Sequence, residues 1–225
     1  MIDKVVASTE AGLEGLADGM TILVGGFNDA GMPKELLKAA LDTGARGLTV
    51  VANGAGMGDQ GLAALILNHR VGHVICSFPS TPRNDAIRDA VDRQEVVLEV
   101  CPQGSVAERM RAAGAGLGGV LTPTGVGTEL AQGKPVYELD GRTFLVERPI
   151  HGDFALIRAW RADRMGNLLY RYAQRNFNHV MAMAAACTVV QADHIDEPGA
   201  IEPMAIHTPG IYVKRVVQVD RGTGR

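Results

Sequence analysis

Cysteine is scarce in this sequence, and its placement argues against two kinds of site. Only three cysteines, Cys76, Cys101 and Cys187, occur among 225 residues, and they lie far apart with no CxxC spacing. Three cysteines at this spacing suggest neither a disulfide framework nor a cysteine-ligated zinc site. The sequence therefore predicts no metal site, and a reducing cytoplasm is the compartment that suits these thiols best.

Excess positive charge and aromatic residues are also lacking. Lys and Arg number 22 against 25 Asp and Glu, the formal net charge is −3, and 4% of the residues are aromatic. No polybasic run occurs, which argues against a nucleic-acid partner. No apolar run has the length of a membrane span, and the first residues mix acidic with small apolar side chains, unlike an export signal. We therefore expect a cytoplasmic protein with no membrane contact.

The sequence is rich in aliphatic residues, arranged in alternating strand-like and helix-like runs. Apolar residues make up 46% of the chain, enough for one sizeable core. In the first half, strand-like runs at residues 20–24, 48–52, 73–78 and 96–100 are followed by helix-like runs at 33–41, 61–69, 84–93 and 105–114. This order implies right-handed crossovers, so we expect an α/β fold with a mostly parallel open sheet and flanking helices.

The second half has a different pattern. Runs at residues 136–139, 142–149, 153–162 and 167–172 are β-like, with turn signals at Asp140-Gly141 and at residues 165–167. A helix-like segment at 179–186 precedes strand-like runs at 188–191 and 212–219. No Ser/Pro-rich linker separates the halves. We therefore expect one domain over residues 1–225, with β/α units in 1–120 and a mixed part with a β-rich layer in 121–225.

The loops after the first four strands are the expected place for a site, because ligands of parallel sheets bind beyond the C-terminal strand ends. The first loop, GGFNDAGMP at residues 25–33, lacks both the GxGxxG of a dinucleotide site and the Lys-Ser/Thr of a P-loop. Its paired glycines would let backbone approach a ligand, and the N–H groups that begin the following helix would favour an anion. The local residues also allow an alternative, in which the glycines serve only to form a turn and bind no ligand.

The spacing of residues through this loop resembles the signature of the A (alpha) subunit of class I CoA-transferases. Asp18-Gly19, apolar residues at 22–24, Gly25-Gly26-Phe27, Gly31 and Pro33 match every fixed position. Further strings similar to the family are PQGSVAERMRAAGAG from Pro102, LTPTGVGTELAQGK from Leu121, DFALIRAWRAD from Asp153, GNLLYR from Gly166, RNFN from Arg175 and HTPGIYVKRVV from His207. The resemblance covers most of the chain and is greatest to 3-oxoacid CoA-transferases of the 3-oxoadipate and acetoacetate types.

The resemblance implies a ping-pong reaction that moves CoA from an acyl-CoA such as succinyl-CoA to a 3-oxo acid such as 3-oxoadipate or acetoacetate. In the family a glutamate attacks the thioester and then carries CoA as a glutamyl thioester. That glutamate lies in a Ser-Glu-Asn-Gly type segment of the B part, and no such segment occurs here. The expected partner is therefore a CoA-transferase B (beta) subunit, in a hetero-oligomer such as A2B2, and no cofactor is expected beyond the CoA thioester substrate.

The resemblance also implies roles for individual residues. Gln103 matches a family glutamine that lines the active site, where a donor can stabilise a developing oxyanion. Asn53 matches the first of two adjacent asparagines in some members, but Gly54 stands where the second would be. Asn53 either positions substrate or only accommodates an unusual turn. The residues expected in substrate- or CoA-binding loops are Gly25, Gly26, Phe27, Gly31, Thr124 and Gly125.

Two other functions stay open. A stand-alone phosphosugar isomerase-like α/β enzyme would need its own base and phosphate site, and no convincing set is present. A non-catalytic CoA-binding assembly module is the second alternative. Arg83, Arg88 and Arg93 could approach CoA phosphates, but the aspartates among them favour a solvated helix face.

Overall fold

A parallel β-sheet forms the centre of the computed structural model, which describes residues 2–81 and 84–219. Arg83 lies outside the described residues. The strands are β1 (Thr21–Val24), β2 (Leu48–Gly54), β3 (Val71–Phe78), β4 (Val97–Val100), β5 (Val120–Thr122), β6 (Val136–Leu139), β7 (Arg142–Glu147), β8 (Gly152–Asp163), β9 (Leu168–Leu169), β10 (Ala185–Asp196) and β11 (Arg215–Gln218). The α-helices are α1 (Thr9–Gly12), α2 (Lys34–Asp42), α3 (Leu62–Leu67), α4 (Ala86–Asp92), α5 (Gln103–Gly114) and α6 (Asn178–Ala184).

The strand order in the main sheet is β11-β10-β8-β1-β2-β3-β4, and every neighbouring pair is parallel. The short β9 is added antiparallel to β8. The strand order therefore reverses at β1: the chain runs outward through β2, β3 and β4 on one side, and through β8, β10 and β11 on the other. This sheet confirms the predicted α/β fold.

Helices cover both faces of the sheet, which explains why the strands read as nearly continuous apolar runs. In β1, Ile22 and Val24 belong to the core cluster that α2, α3 and α4 complete. The intervening Leu23 points to the opposite face and belongs to the cluster formed with α5 and α6. Because side chains alternate along a strand, the central strands contribute to both clusters.

The β-rich layer of the second half is a separate antiparallel sheet in the order β5-β7-β6. Its β6–β7 hairpin turns at Asp140 and Gly141, which have φ angles of 51° and 72°. Positive φ at both central residues suits the tight hairpin turn that an Asp-Gly pair predicts. β8, β10 and β11 are not part of this layer, because they extend the main sheet.

Two element boundaries in the second half differ from the sequence pattern. The predicted strand at 167–172 is only two residues long, since it pairs with β8 only at Leu168 and Leu169. β10 begins at Ala185, immediately after α6, so the predicted helix end at residue 186 is two residues late. Across the described residues, no helix is long and apolar enough to cross a membrane.

Candidate active site

The carboxyl ends of β1 to β4 lie at one edge of the sheet, as their parallel pairing requires. β8 and β10 continue well past that edge: Val24, the last residue of β1, pairs with Leu156, seven residues before the end of β8. The loop after β1 therefore lies beside the extended β8, at the point where the strand order reverses. In open α/β sheets this is where ligands bind.

A pocket of about 370 Å³ opens at this edge. Its lining residues come from the loop after β1, the end of β2 and the segment around the end of β3: Phe27, Asn28, Asn53, Met57, Phe78, Ser80 and Thr81. Phe27 is 40% exposed and Phe78 47% exposed, so two aromatic residues at the pocket are open to solvent. Such a mostly apolar pocket with a few polar groups suits a small organic ligand.

Asn53 is the buried polar residue of this pocket. It lies near the end of β2 and is 5% exposed. Its Nδ2 has no hydrogen-bond partner among the described residues. A buried amide donor without a partner costs about 1–3 kcal/mol, so proteins seldom retain one without a use. A ligand oxygen in the pocket would supply the acceptor.

Gly54 follows Asn53 and has a clear structural reason to lack a side chain. A Cβ at this position would lie 2.6 Å from the backbone oxygen of Phe78, on the neighbouring strand β3. A contact below 3.0 Å with backbone requires one of the two strands to shift. An asparagine in place of Gly54 would therefore force β2 and β3 apart.

Gln103 is the first residue of α5, just after β4, and it is exposed. Asn53 and Gln103 lie at the same edge, but β3 lies between β2 and β4, so the strands that lead to these two residues are about 10 Å apart. Gln103 is not among the residues that line the Asn53 pocket. The N-cap residue of α5, Pro102, offers no side-chain acceptor to the first helical N–H groups, which leaves this helix end open to an anion or oxyanion.

Thr124 lies on the Gln103 side of the edge. It lines a groove of about 350 Å³ together with Gly104 and Ser105 at the start of α5. Gly125 has φ 90°, and a Cβ there would lie 3.3 Å from Leu130. The structure thus groups the predicted residues in two places, with Phe27 and Asn53 in one pocket and Thr124 near Gln103 in another.

The glycines of the first loop are packed against the segment that precedes and begins α6. A Cβ on Gly25 would lie 1.8 Å from Oδ1 of Asn178, and a Cβ on Gly31 would lie 2.6 Å from the backbone oxygen of Gln174. Gly31 also has φ 74°, a conformation that favours glycine. Both glycines therefore allow this loop to pack closely against the segment around Gln174 and Asn178, which is a structural role that needs no ligand.

Two asparagines hold the loop in place. Asn176 Oδ1 accepts a hydrogen bond from Gly26 N at 3.2 Å, and Asn176 Nδ2 donates to Ala30 O at 2.9 Å. Asn178 Nδ2 donates to Gly31 O at 3.1 Å, while its Oδ1 accepts from the backbone N of Arg158. Both asparagines belong to the RNFN string, in which the sequence pattern gave neither of them a role. Their loop-positioning role is visible only in the folded chain.

The start of α2 does not offer the anion site that the sequence suggested. Gln191 of β10 places its Oε1 3.1 Å from Glu35 N and 3.4 Å from Leu36 N and accepts from both. The cap comes from a residue 155 positions further along the chain than Leu36. Because a side-chain oxygen already accepts from these donors, the expectation of exposed N–H groups at this helix is wrong.

Burial controls the ionisation of the groups near the strands. Burial raises the pKa of the Cys76 thiol to about 12, and it also raises the pKa of Cys101. Burial, assisted by the charge of Arg175, lowers the pKa of His207, whose Nδ1 accepts from Tyr170 N at 3.0 Å. Because their pKa values are raised, the thiols of Cys76 and Cys101 stay protonated near neutral pH. The described residues contain no group of three or more His, Cys, Asp or Glu that could hold a metal ion.

Residues 6–219 match the family model described as Coenzyme A transferase. The chain belongs to this family. This Coenzyme A transferase chain is 49% identical over 219 residues to the A subunit of 3-oxoadipate CoA-transferase from Pseudomonas putida, covering 97% of this chain and 95% of that one. It is 43% identical over 214 residues to the A subunit of a probable succinyl-CoA:3-ketoacid coenzyme A transferase from Bacillus subtilis (strain 168), covering 95% and 89%.

A solved structure shares the fold of this Coenzyme A transferase chain. An acyl-CoA transferase of Escherichia coli O157:H7, in a thioester complex with CoA, matches with a TM-score of 0.84 at 21% sequence identity. The match covers 97% of this chain and 47% of that chain, so this chain spans about half of the solved protein. Family membership leaves the phosphosugar isomerase alternative without support.

Proposed function

We propose that this chain is the A subunit of a 3-oxoacid CoA-transferase, which moves CoA from an acyl-CoA such as succinyl-CoA to 3-oxoadipate or acetoacetate. The observation that carries the proposal, beside family membership, is the Asn53 pocket. It combines apolar walls with one buried amide donor that has no partner among the described residues. An acyl group with a carbonyl or carboxylate oxygen has the complementary chemistry.

Attack on a thioester places negative charge on the carbonyl oxygen, and donors aimed at that oxygen act mainly in the transition state. Asn53 Nδ2 would orient the acyl group by donating to one of its oxygens. Gln103 and the open N–H groups at the start of α5 would stabilise the oxyanion from the other side of β3. Because β2 and β4 are about 10 Å apart on either side of β3, we propose that the reacting carbon lies between the two sets of donors, over the end of β3.

The nucleophile would come from the partner. The family resemblance assigns it to a glutamate in a Ser-Glu-Asn-Gly type segment, which this sequence lacks. We therefore propose that a B subunit completes the site in an A2B2 or similar assembly, with CoA thioester as substrate and no cofactor. The seven described residues that line the pocket carry no formal charge. The distal carboxylate of 3-oxoadipate, when this acid is the acceptor, would meet a cation supplied by other residues. Three cysteines without disulfides suit a cytoplasmic location.

Co-expression with a B subunit tests the proposal. We expect a stoichiometric complex by light scattering, CoA transfer from succinyl-CoA to 3-oxo acids, and a glutamyl-CoA adduct on the B subunit only. This chain purified alone should transfer no CoA and form no adduct. An adduct trapped on this chain by borohydride or hydroxylamine would overturn the division of labour. Two proteins that elute separately and transfer no CoA would overturn the assembly and the activity together.

A further inference from the structure

Ser77 lies at the carboxyl end of β3, on the strand next to the one that carries Asn53. Gly54 of β2 pairs with Phe78 of β3, so the residues before them, Asn53 and Ser77, are neighbours across the two strands. Adjacent strands are about 4.8 Å apart, which places the Cβ atoms of such neighbours about 5 Å apart. The proposed function places the reacting carbon over the end of this same strand, β3.

The side chains of Asn53 and Ser77 point to the same face of the sheet. Val51 and Ile75, two residues earlier on β2 and β3, both belong to the core cluster formed with α5 and α6. Because side chains alternate along a strand, residues 53 and 77 face α5 and α6 as well. α5, the helix that begins with Gln103, packs against β3. The two polar side chains therefore lie side by side on the face of the sheet that these helices cover.

Each of these side chains has a buried polar atom that lacks a hydrogen bond. Ser77 Oγ and Asn53 Nδ2 are shielded from solvent, and neither atom has a partner among the described residues. Buried polar groups are nearly always hydrogen-bonded in native proteins, so two such atoms on neighbouring strands indicate a missing acceptor. With Cβ atoms about 5 Å apart, both groups can reach one oxygen atom at the usual distance of about 2.8–3.0 Å.

The other hydroxyl groups near the Asn53 pocket are already engaged. Ser80 Oγ donates to Asp85 Oδ1 at 2.5 Å, and Thr81 Oγ1 donates to Asn84 O at 3.5 Å. Ser80 and Thr81 line the pocket, but their protons are directed to other groups of the protein. Ser77 has no such partner within residues 2–81 and 84–219. Its hydroxyl is therefore the one in this group that a ligand oxygen can use.

We propose that Ser77 is a further catalytic residue, whose hydroxyl donates a hydrogen bond to the same acyl oxygen as Asn53 Nδ2. This inference rests on the proposed function, because it takes an acyl thioester as the substrate. Attack on the thioester places negative charge on that oxygen, so both hydrogen bonds become stronger in the transition state. Shielding from water increases the strength of such electrostatic interactions. Ser77 thus supplies a donor between Asn53 and the donors at the start of α5.

Two substitutions of Ser77 separate hydrogen bonding from packing. Ser77→Ala removes the hydroxyl, and Ser77→Cys keeps a similar volume with a thiol that is only a weak donor. In the co-expressed complex, we expect each variant to lower kcat for transfer from succinyl-CoA about tenfold and to change KM by less than about threefold. The urea midpoint should equal that of wild type, since neither substitution removes a described hydrogen bond.

A double-variant cycle tests whether Asn53 and Ser77 bind one oxygen. Residues that share a partner atom are coupled, so the loss of kcat in Asn53→Ala/Ser77→Ala should differ from the product of the two single losses by at least about threefold. Losses that multiply to within about twofold would place the two side chains on different groups and would overturn the shared contact.

Thr49→Val is the matched control. Thr49 lies four residues before Asn53 on β2, so its side chain points to the same face of the sheet but away from the carboxyl edge. Loss of its hydroxyl should change neither kcat nor KM. Thermal unfolding in the presence of acetoacetate gives a readout that needs no catalysis. Acetoacetate should raise the Tm of the wild-type complex, and in Ser77→Ala this rise should fall to about half or less.

The role of Ser77 is overturned by any of three results. Wild-type kcat in Ser77→Ala would mean that the two atoms hold only a buried water. Wild-type kcat in Ser77→Cys alone would mean that the position needs volume and no donor. A lower urea midpoint or failed assembly in either variant would make the hydroxyl a structural group. A wild-type complex that transfers no CoA, but whose Tm responds to acetoacetate through Ser77, would contradict the proposed function and leave the donor pair standing.

Discussion

A methyl group on Gly25 would lie 1.8 Å from Oδ1 of Asn178, although the two residues are far apart in sequence. Asn178 is fully buried and bonds to the backbone of Gly31 in the glycine loop and to the backbone of Arg158 in β8. The close approach of this asparagine requires a residue without a side chain at position 25. The glycine pair and the RNFN string are therefore two halves of one contact.

Gly25→Ala should destabilise the chain by about 3 kcal/mol or more. The added methyl forces Asn178 away, which combines overpacking of about 1–3 kcal/mol with the loss of buried hydrogen bonds. Urea unfolding measures the difference. Gly118→Ala is the control, since a Cβ there meets nothing within 4 Å and its φ is not positive. A Gly25→Ala chain as stable as the Gly118→Ala chain would contradict the packing role.

Asn53→Ala should lower activity without lowering stability. The Nδ2 of Asn53 has no partner among the described residues. The substitution therefore removes a buried, unpaired donor, and no other described group loses a hydrogen bond. The free energy of unfolding should change by less than about 1 kcal/mol. The loss of kcat/KM should depend on the acceptor acid and be smaller than that of Gln103→Ala. Unchanged activity with every acid, or a large loss of stability, would show that Asn53 only shapes the turn.

Gln103→Ala in the assembled complex should lower kcat by about tenfold to a thousandfold. Removal of one oxyanion donor lowers kcat by about a hundredfold to a thousandfold in other enzymes, so the expected loss is no larger than that. The residue is exposed at the start of α5, so the substitution should leave folding and assembly intact. Stopped-flow or steady-state assays with several 3-oxo acids measure the effect, and light scattering checks assembly. Full kcat in an intact complex would restrict the role of this position to its backbone.

The chain should lose stability as the pH falls below about 6.5. Burial and then the charge of Arg175 lower the pKa of both His179 and His207 below the ordinary histidine value of 6.5. The unfolded chain then binds more protons than the folded chain in this window, so the histidine contribution to stability is full above about 6.5 and falls as the pH passes down through the folded pKa values. Protonation of His207 Nδ1 would also end its hydrogen bond from Tyr170 N.

Thermal unfolding between about pH 7.5 and 5.5 measures this dependence. The decrease in Tm over that range should be smaller in the double variant His179→Gln/His207→Gln than in wild type. Carboxylates whose pKa is lowered in the fold, such as that of Asp3, titrate below this window and should affect both proteins alike. Identical pH profiles would exclude the two histidines as the cause.

The strand and helix runs of the first half were predictable because their signals are local. Four apolar runs with glycine-rich loops and amphipathic helices specify β-loop-α units, and right-handed crossovers then make the strands parallel. The hairpin at Asp140-Gly141 was predictable for the same reason, since the turn depends on the φ preferences of two adjacent residues. The loops at one sheet edge, including those with Asn53 and Gln103, followed from the parallel order.

Contacts between distant segments were decided by the tertiary structure alone. Nothing near α2 in sequence predicts that Gln191 caps it, and nothing in the glycine loop predicts that Asn178 packs on Gly25. The separation of Gln103 from the Asn53 pocket depends on β3 lying between their strands. The sequence by itself determined the α/β class, the loop edge and the family resemblance, because propensity, periodicity and motif spacing act over a few residues. The partners of each glycine, asparagine and arginine depend on which strands become neighbours, and that is a property of the whole folded chain.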